Sequence, residues 1–246
     1  LHKNCTKTCN HANRWNFYKQ NIIKYFDTNS KLLVIGASEY EVKIFSQLNY
    51  KNVTFGFYDK DELIEFKKKN SFDLFNFEII DCRNINYGNS SFDHTFTNAT
   101  IHHIDLPHLA ITELIRVAKF STLIIEGNDS LIMRLACKFR FSEDFELSAI
   151  QNDSGGVLNS NVPNYVYRWT EREIMKLLNS YDPKFVYKQS FNYSYDFKNQ
   201  SLEQKLPKKI IKKILGSLLS IFFTIFKKQG NLLSIFVEKR GIKRQF

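Results

Sequence analysis

The chain has 246 residues, of which 43% are hydrophobic, and this is enough apolar material for a sizeable core and argues against a disordered chain. Four cysteines are too few for a disulfide scaffold at this length. The formal net charge is +10, but eleven basic residues and one acidic residue lie after residue 204, so the charges of the rest of the chain are balanced. The fold therefore lacks the basic face of a nucleic-acid-binding protein.

The N-terminal stretch carries a small cluster of metal-binding residue types. Cys5, Cys9 and His11 form a Cys-x3-Cys-x-His pattern, with His2 nearby. A structural zinc site needs four ligands, commonly in two pairs, and no second pair follows. We therefore predict no metal and interpret the cluster as a reduced terminus. Residues 1–20 also lack the apolar run of a signal peptide, so we expect a cytoplasmic protein.

The first half of the chain alternates between strand and helix patterns. A lead-in helix is predicted over 12–29. Apolar runs predict strands at 32–35, 53–57, 74–80, 92–97 and 122–126. Helical periodicity predicts helices at 39–48, 61–69 and 105–119. This alternation indicates a parallel sheet with its ligand crevice at the carboxyl ends of the strands. The residues that follow those strands are Gly36, Asp59, Asp81, Asn98 and Glu126.

The second half continues the same pattern after a loop at 151–164. Thr170 and Glu173 match a capping box that opens a helix ending near Asn179. Further strands are predicted at 185–195 and 232–238, with an apolar, basic segment at 206–228 between them. We predict a single domain over 1–246, with 1–29 as its lead-in helix and 206–228 as an insert before the last strand.

Three motifs resemble one enzyme family. They are Asn86–Asp93 before the fourth strand, Thr97–Ile104 after it, and Glu113–Lys119 in the helix before the fifth strand. Because the three motifs stand in this order and at this spacing, residues 30–126 resemble the class I S-adenosylmethionine-dependent methyltransferases, in particular the type 11 methyltransferases. The resemblance implies a Rossmann-like three-layer α/β sandwich. Its sheet has seven strands and is mostly parallel, with an antiparallel last strand.

The resemblance also implies S-adenosylmethionine as the cofactor and places its methionine and ribose. The family's glycine-rich loop falls on Gly36, Ala37 and Ser38, where a glycine lets the ligand approach the backbone. A carboxylate that accepts from the ribose falls near Asp59, with Asp61 as the fallback. Asp59 also suits the N-cap of the following helix.

The adenine and the reacting methyl group are placed by later motifs. Asp81 and Cys82 follow the third strand, where the family recognises adenine, although Asp81 also suits a turn. Asn98 faces the methyl-donor end. His102 and His103 come next and are the candidate catalytic residues, since an imidazole titrates in the range that suits a general base. A packing and loop-fixing role for both is the alternative.

The acceptor side is assigned to the loop that ends before the capping box. Tyr165, Tyr167 and Arg168 are the candidate substrate-binding residues, because a guanidinium pairs well with a phosphate or carboxylate. The alternative is a lid packed by aromatic side chains with Arg168 in solvent. The segment 206–228 suits a helix lying in a membrane interface, with lysines at both ends of its apolar run, or a helix packed on the sheet.

These observations lead to one functional prediction and one alternative. We predict methyl transfer from S-adenosylmethionine to a small-molecule acceptor, such as a cell-surface sugar or a lipid-linked intermediate, at the inner face of the membrane, with no nucleic-acid partner. The alternative is a catalytically decayed methyltransferase-like fold that serves as a membrane- or protein-binding module. Val34, Ser38 and Tyr40 motivate it, because Val34 stands where the family usually has an acidic residue and the other two replace glycines of the family loop.

Overall fold

The computed structural model describes residues 12–69, 74–147, 150, 155–182, 185–196, 219 and 221–242. The strands are β1 Leu32–Ile35, β2 Val53–Phe57, β3 Asn76–Ile79, β4 Phe92–Asn98, β5 Ala118–Gly127, β6 Phe185–Ser194 and β7 Leu232–Ile242. The helices are α1 Ala12–Tyr25, α2 Glu39–Gln47, α3 Lys60–Lys69, α4 Pro107–Val117, α5 Leu131–Lys138 and α6 Glu171–Tyr181. A short 3-10 helix, Ile101–His103, follows β4.

The strands form one sheet in the order β3-β2-β1-β4-β5-β7-β6. β1 pairs in parallel with β2 and β4, and β2–β3 and β4–β5 are also parallel. β7 runs antiparallel to both of its neighbours, β5 and β6. The predicted α/β fold class, with a mostly parallel seven-stranded sheet and an antiparallel last strand, is confirmed.

Side chains of β1 supply both faces of the sheet because neighbouring residues of a strand point to opposite sides. Leu32 and Val34 belong to the apolar cluster that includes residues of α1, α2 and α3. Leu33 and Ile35 belong to the cluster that includes residues of α4 and α6. All four are buried, and each contributes about 1.5–3 kcal/mol to folding. The three-layer arrangement follows from this two-sided burial.

Several elements differ from the sequence-based expectation: α1 ends at Tyr25 and not at residue 29, and α4, β5 and α5 differ as follows. α4 ends at Val117 and β5 begins at the next residue, whereas the helix was expected to reach Lys119 and the strand to begin at Thr122. Ala118 pairs with Phe92 of β4, and this sheet pairing overrides the local helical preference. α5 was not predicted. Ser130 caps it by accepting from the Met133 N–H at 3.2 Å.

Two expected features lie wholly or mostly outside the described residues. The His2, Cys5, Cys9 and His11 cluster does so entirely, and so does most of the segment 206–228. Of that segment, Phe223 is buried and stacks on Tyr195 with ring centroids 5.0 Å apart. In the described part of the chain, no helix is both long and apolar enough to cross a bilayer.

Candidate functional site

The loop after β1 approaches the loop after β4 very closely. Gly36 has φ +72°, in the left-handed region, and its N–H donates to the Gly56 carbonyl at 3.1 Å. A Cβ on Gly36 would lie 2.0 Å from Thr100 Oγ1. Only glycine fits this position, both for its φ and for the space that Thr100 leaves. Ala37 is buried beside it.

Ser38 begins α2 with a capping box. Its side chain accepts from the Tyr40 N–H at 3.2 Å, and its own N–H donates to Glu41 at 2.9 Å. The Tyr40 ring turns away and stacks on Trp15, with centroids 4.5 Å apart. This contact brings α1 to the loop and explains how the loop accommodates a residue as large as tyrosine.

Asn98 ends β4 beside this loop and is buried. Its Nδ2 donates to Glu41 Oε1 at 2.8 Å, and its backbone carbonyl accepts from Thr100 Oγ1 at 2.8 Å. Its side-chain oxygen, Oδ1, is buried and has no hydrogen-bond partner among the described residues. A buried acceptor without a partner costs about 1–3 kcal/mol, and although the Tyr18 hydroxyl lies near the Asn98 side chain, no described residue donates to Oδ1, which is therefore suited to a further donor.

The carboxyl ends of β2 and β3 carry the predicted nucleoside residues. Asp59 caps α3, because its Oδ1 accepts from the N–H groups of Asp61 at 2.8 Å and Glu62 at 2.9 Å. The N-cap role is therefore present in the structure. Cys82 is buried, and burial raises the pKa of its thiol to about 12, so the side chain is neutral and acts as a small apolar group.

Arg83 links three side chains near the carboxyl ends of β2 and β3, and no sequence motif indicates it. Its Nη2 donates to Asp81 Oδ2 at 2.7 Å, and its Nη1 contacts both carboxylate oxygens of Asp105 at 3.1 Å. Nη2 also lies 3.3 Å from Tyr58 Oη. Hydrogen bonding with Arg83 lowers the pKa of Asp81, which therefore stays ionised and paired. Arg83 must release Asp81 before that carboxylate can accept from a ligand.

Glu126, at the end of β5, clamps the segment after β4. Its side chain is 1% exposed, and it accepts from the N–H groups of Thr100 at 2.8 Å and Ile101 at 2.7 Å and from His102 Nδ1 at 2.7 Å. Burial raises the pKa of Glu126, but His102 and the two amides outweigh it and the pKa is lowered. The clamp holds Ala99 at φ +47°, a conformation that costs an alanine about 1–2 kcal/mol.

His102 and His103 lie together on the 3-10 helix, with ring centroids 4.5 Å apart. Burial lowers the pKa of His102, but the carboxylates of Glu126 and Glu146 raise it to about 10. Burial and the neighbouring His102 lower the pKa of His103 to about 4. Glu146 reaches both rings from the segment after α5, and the interaction with His102 lowers its pKa to about 2.

The predicted substrate residues have partners within the chain. Arg168 donates from Nη2 to the Glu143 carbonyl at 2.6 Å and to Ser142 Oγ at 3.2 Å, so it fastens the segment that carries Glu146. Tyr167 Oη donates to Glu173 at 3.1 Å. The ring of Tyr165 is half exposed. Its substrate-binding role, like that of the other two, stays a prediction.

The candidate site contains residues that the sequence motifs do not indicate. Glu41, Arg83 and Glu146 carry no family motif, and their roles depend on contacts between distant parts of the chain. For Glu126, its place at the end of a predicted strand was the available signal. For Glu146, no sequence signal exists, because 20 residues separate it from Glu126 and a loop brings it to His102.

Comparisons with known proteins agree with this geometry. Residues 35–125 match the family model described as "Methyltransferase domain", and no curated protein matches the sequence. A S-adenosylmethionine-dependent methyltransferase from Methanosarcina mazei is 17% identical over 91% of this chain and 98% of its own, with a TM-score of 0.54. Magnesium protoporphyrin IX methyltransferase from Synechocystis PCC 6803, solved with bound S-adenosylhomocysteine, is 10% identical over 93% and 83%, with a TM-score of 0.53.

The same fold also serves other chemistry. The [4+2]-cyclase SpnF is 11% identical over 91% of this chain and 81% of its own, with a TM-score of 0.55. The chain thus has the fold of the class I S-adenosylmethionine-dependent methyltransferases, and the predicted resemblance is confirmed. The matched domain implies S-adenosylmethionine as the cofactor. The fold by itself does not define the acceptor.

Proposed function

We propose that the protein transfers a methyl group from S-adenosylmethionine to a small-molecule acceptor. The observation that carries this proposal is the buried Oδ1 of Asn98, which accepts from no residue that the structure describes and lies at the carboxyl edge between β1 and β4. S-adenosylmethionine carries an ammonium group that donates hydrogen bonds, and such a donor would satisfy this oxygen. The cofactor supplies a methyl group on a sulfonium sulfur when it is bound.

The remaining residues fit the cofactor in part. The N-terminal end of α2 lies at the edge where the family's loop lies, and the positive end of a helix dipole favours a carboxylate there, although the N–H groups of Gly36 and Ser38 already have partners in the chain. Asp59 and Asp81 are the carboxylates for the ribose and the adenine, and Cys82 follows with its neutral thiol. Asp81 has Arg83 as its present partner, so binding requires this ion pair to open. Since the pair is partly exposed, we expect opening to cost less than about 1 kcal/mol.

His102 and His103 are proposed to act on the acceptor side. They follow Asn98 within five residues, and Glu126 fixes the ring of His102 through Nδ1. Methyl transfer is a displacement that depends mainly on holding the two reactants in line. A rigid pair of imidazoles beside the methyl-donor end therefore supports positioning of the acceptor.

The test of the proposed cofactor is calorimetric titration with S-adenosylhomocysteine. Asp81→Asn removes the charged acceptor, whereas Asp105→Asn breaks the other ion pair of Arg83 and is the matched control. A hydrogen bond to a charged group contributes about 1.5–3 kcal/mol, so we expect affinity to fall about 10- to 150-fold in the first variant only. Equal effects of the two variants would contradict the assignment of Asp81.

The outcome with the unaltered protein separates the two functions. Binding in the micromolar range supports the enzyme and justifies a screen of acceptors. Absence of binding by folded protein would overturn the proposal and favour the alternative, a decayed methyltransferase-like fold that acts as a membrane- or protein-binding module.

For the acceptor we propose a lipid-linked intermediate, in preference to a free cell-surface sugar. Leu131 and Leu135 lie one turn apart on α5 and are 62% and 40% exposed. Ile225 is 68% exposed and lies just before Lys227, in the segment that packs against the start of α5. Apolar side chains beside lysines suit contact with an anionic membrane surface, where each lysine adds about 1 kcal/mol of attraction.

Flotation with anionic liposomes tests this membrane contact. Replacing Leu131 and Leu135 with glutamate should abolish flotation. The matched control places the same two charges at Ile64 and Met175, which are similarly exposed on α3 and α6 and should leave flotation unchanged. Failure of the unaltered protein to float would exclude a peripheral membrane contact while leaving the cofactor test unaffected.

A further inference from the structure

A group of three nitrogen and oxygen donors meets beside the 3-10 helix. His102 Nε2 lies 3.5 Å from Glu146 Oε2, and His103 Nε2 lies 3.6 Å from the same oxygen. The ligand atoms of His102, His103 and Glu146 all lie within 4.8 Å of one another. Both distances are longer than an ordinary hydrogen bond of about 2.7–3.2 Å.

This spacing is close to that of ligands around a common metal ion. Ligands at about 2.0–2.1 Å from a tetrahedral zinc ion stand about 3.3 Å from each other. The two contacts to Glu146 Oε2 are within a few tenths of an ångström of that value. The ligand atoms of the two imidazoles lie within 4.8 Å of each other, and because Glu126 fixes the ring of His102, metal binding would draw the ring of His103 closer.

The surroundings of the three side chains also have the form of a metal site. Metal-binding histidines commonly donate their other ring N–H to a carboxylate or a backbone carbonyl, which fixes the ring and its tautomer. His102 does so through Nδ1 to the fully buried Glu126, and the ring of His103 lies near the backbone of Gly156. Asn164, which is fully buried, donates to Glu146 Oε2 at 3.3 Å.

We propose that His102, His103 and Glu146 bind a zinc ion. Two imidazoles and one carboxylate are a donor set that zinc accepts, whereas magnesium and calcium prefer oxygen donors throughout. Three protein ligands leave one tetrahedral position for water or another ligand. The sequence reading predicted no metal, because Glu146 joins the two histidines only in the folded chain.

The position of the ion suggests what the fourth ligand is, and this step rests on the proposed function. The site follows Asn98 on the same edge of the sheet as the proposed methyl donor. An acceptor hydroxyl or thiol bound to zinc would lose its proton to water more readily, which would make it a better nucleophile. Its oxygen or sulfur would then form the bond to the methyl carbon as the bond from that carbon to the sulfonium sulfur breaks, leaving S-adenosylhomocysteine as a neutral thioether. Zinc binding itself does not depend on this step.

The test is zinc binding by the full chain, purified without a polyhistidine tag and stripped with a chelator. We expect one zinc ion per chain from this site by calorimetry and elemental analysis. His103→Ala and Glu146→Gln should weaken this binding more than about 100-fold, since loss of a second-shell partner alone typically costs 10- to 100-fold. The Cys5→Ser/Cys9→Ser variant is the matched control and should retain it.

Cobalt(II) in place of zinc reports the donor atoms directly. Nitrogen and oxygen ligands give the visible bands of tetrahedral cobalt without a thiolate charge-transfer band, and Glu146→Gln should remove them. Equal melting temperatures of the metal-free proteins would show that the variants fold.

Three outcomes would overturn the proposal. They are no zinc binding by the unaltered chain, unchanged binding by both His103→Ala and Glu146→Gln, or a thiolate band that disappears in the Cys5→Ser/Cys9→Ser variant. The first would mean that protonated His102 simply bridges Glu126 and Glu146. S-adenosylhomocysteine binding, measured on the same samples, reports separately on the proposed function.

Discussion

Replacement of Glu126 tests the clamp that holds the segment after β4. Glu126→Ala leaves three donors without their acceptor: the N–H groups of Thr100 and Ile101 and Nδ1 of His102. A buried donor without a partner costs about 1–3 kcal/mol, and His102 costs less because it is slightly exposed. For the three donors together we expect the free energy of unfolding to fall by about 4 kcal/mol. Glu126→Gln keeps an acceptor for the two amides but lacks the charge, and we expect it to lose about 2 kcal/mol.

The assay is urea unfolding of metal-free protein, followed by circular dichroism and tryptophan fluorescence. The slope of the free energy of unfolding against urea should be the same for all variants, so that midpoints compare directly. Glu238→Gln, which removes a partly exposed carboxylate on β7, is the control and should change stability by less than about 1 kcal/mol. The clamp would be refuted by equal losses in Glu126→Gln and Glu126→Ala, or by losses below about 1 kcal/mol in both.

Two further predictions concern the sheet and the loop. Burial lowers the pKa of His94 below 6.5, so as the pH falls below 6.5 the unfolded chain binds a proton before the folded chain does. His94→Asn should therefore lose less stability than the unaltered protein on acidification. Equal slopes of melting temperature against pH in the two proteins would contradict this. Gly36→Ala should destabilise by more than about 2 kcal/mol, from left-handed backbone strain and the clash with Thr100. Adding Thr100→Gly should restore part of that loss, and strictly additive effects in urea unfolding would argue against the clash.

The parallel part of the fold could be predicted because its strands are short and buried on both faces. Leu32–Ile35 is a continuous apolar run and Val53–Phe57 alternates apolar residues with Thr54 and Gly56, and the structure has strands at these positions. α5 is harder to predict, because it is only eight residues long and two of its apolar side chains, Leu131 and Leu135, are exposed. The Ser130 cap before this apolar run was a usable signal for its start.

The site could be predicted only where it follows directly from the strands. Gly36 directly follows β1, Asn98 is the last residue of β4 and Asp81 lies two residues after β3, and parallel pairing places their backbones at one edge. The pairing of Asp81 with Arg83 and of His102 with Glu146 could not be predicted, because each depends on the rotamer of a long side chain. Whether a carboxylate is available to a ligand is decided by such contacts and not by its position in the chain.

The place of β7 in the sheet has a consequence for synthesis of the protein. β7 lies between β5 and β6, so β6 has no sheet partner in its final position until residues 232–242 have left the ribosome. Until then, the long edge of β5 and both edges of β6 are open to pairing with other chains. β7, the last of the described strands to be synthesised, therefore completes the sheet. We expect a chaperone that shields the β5 edge to raise the yield of folded protein.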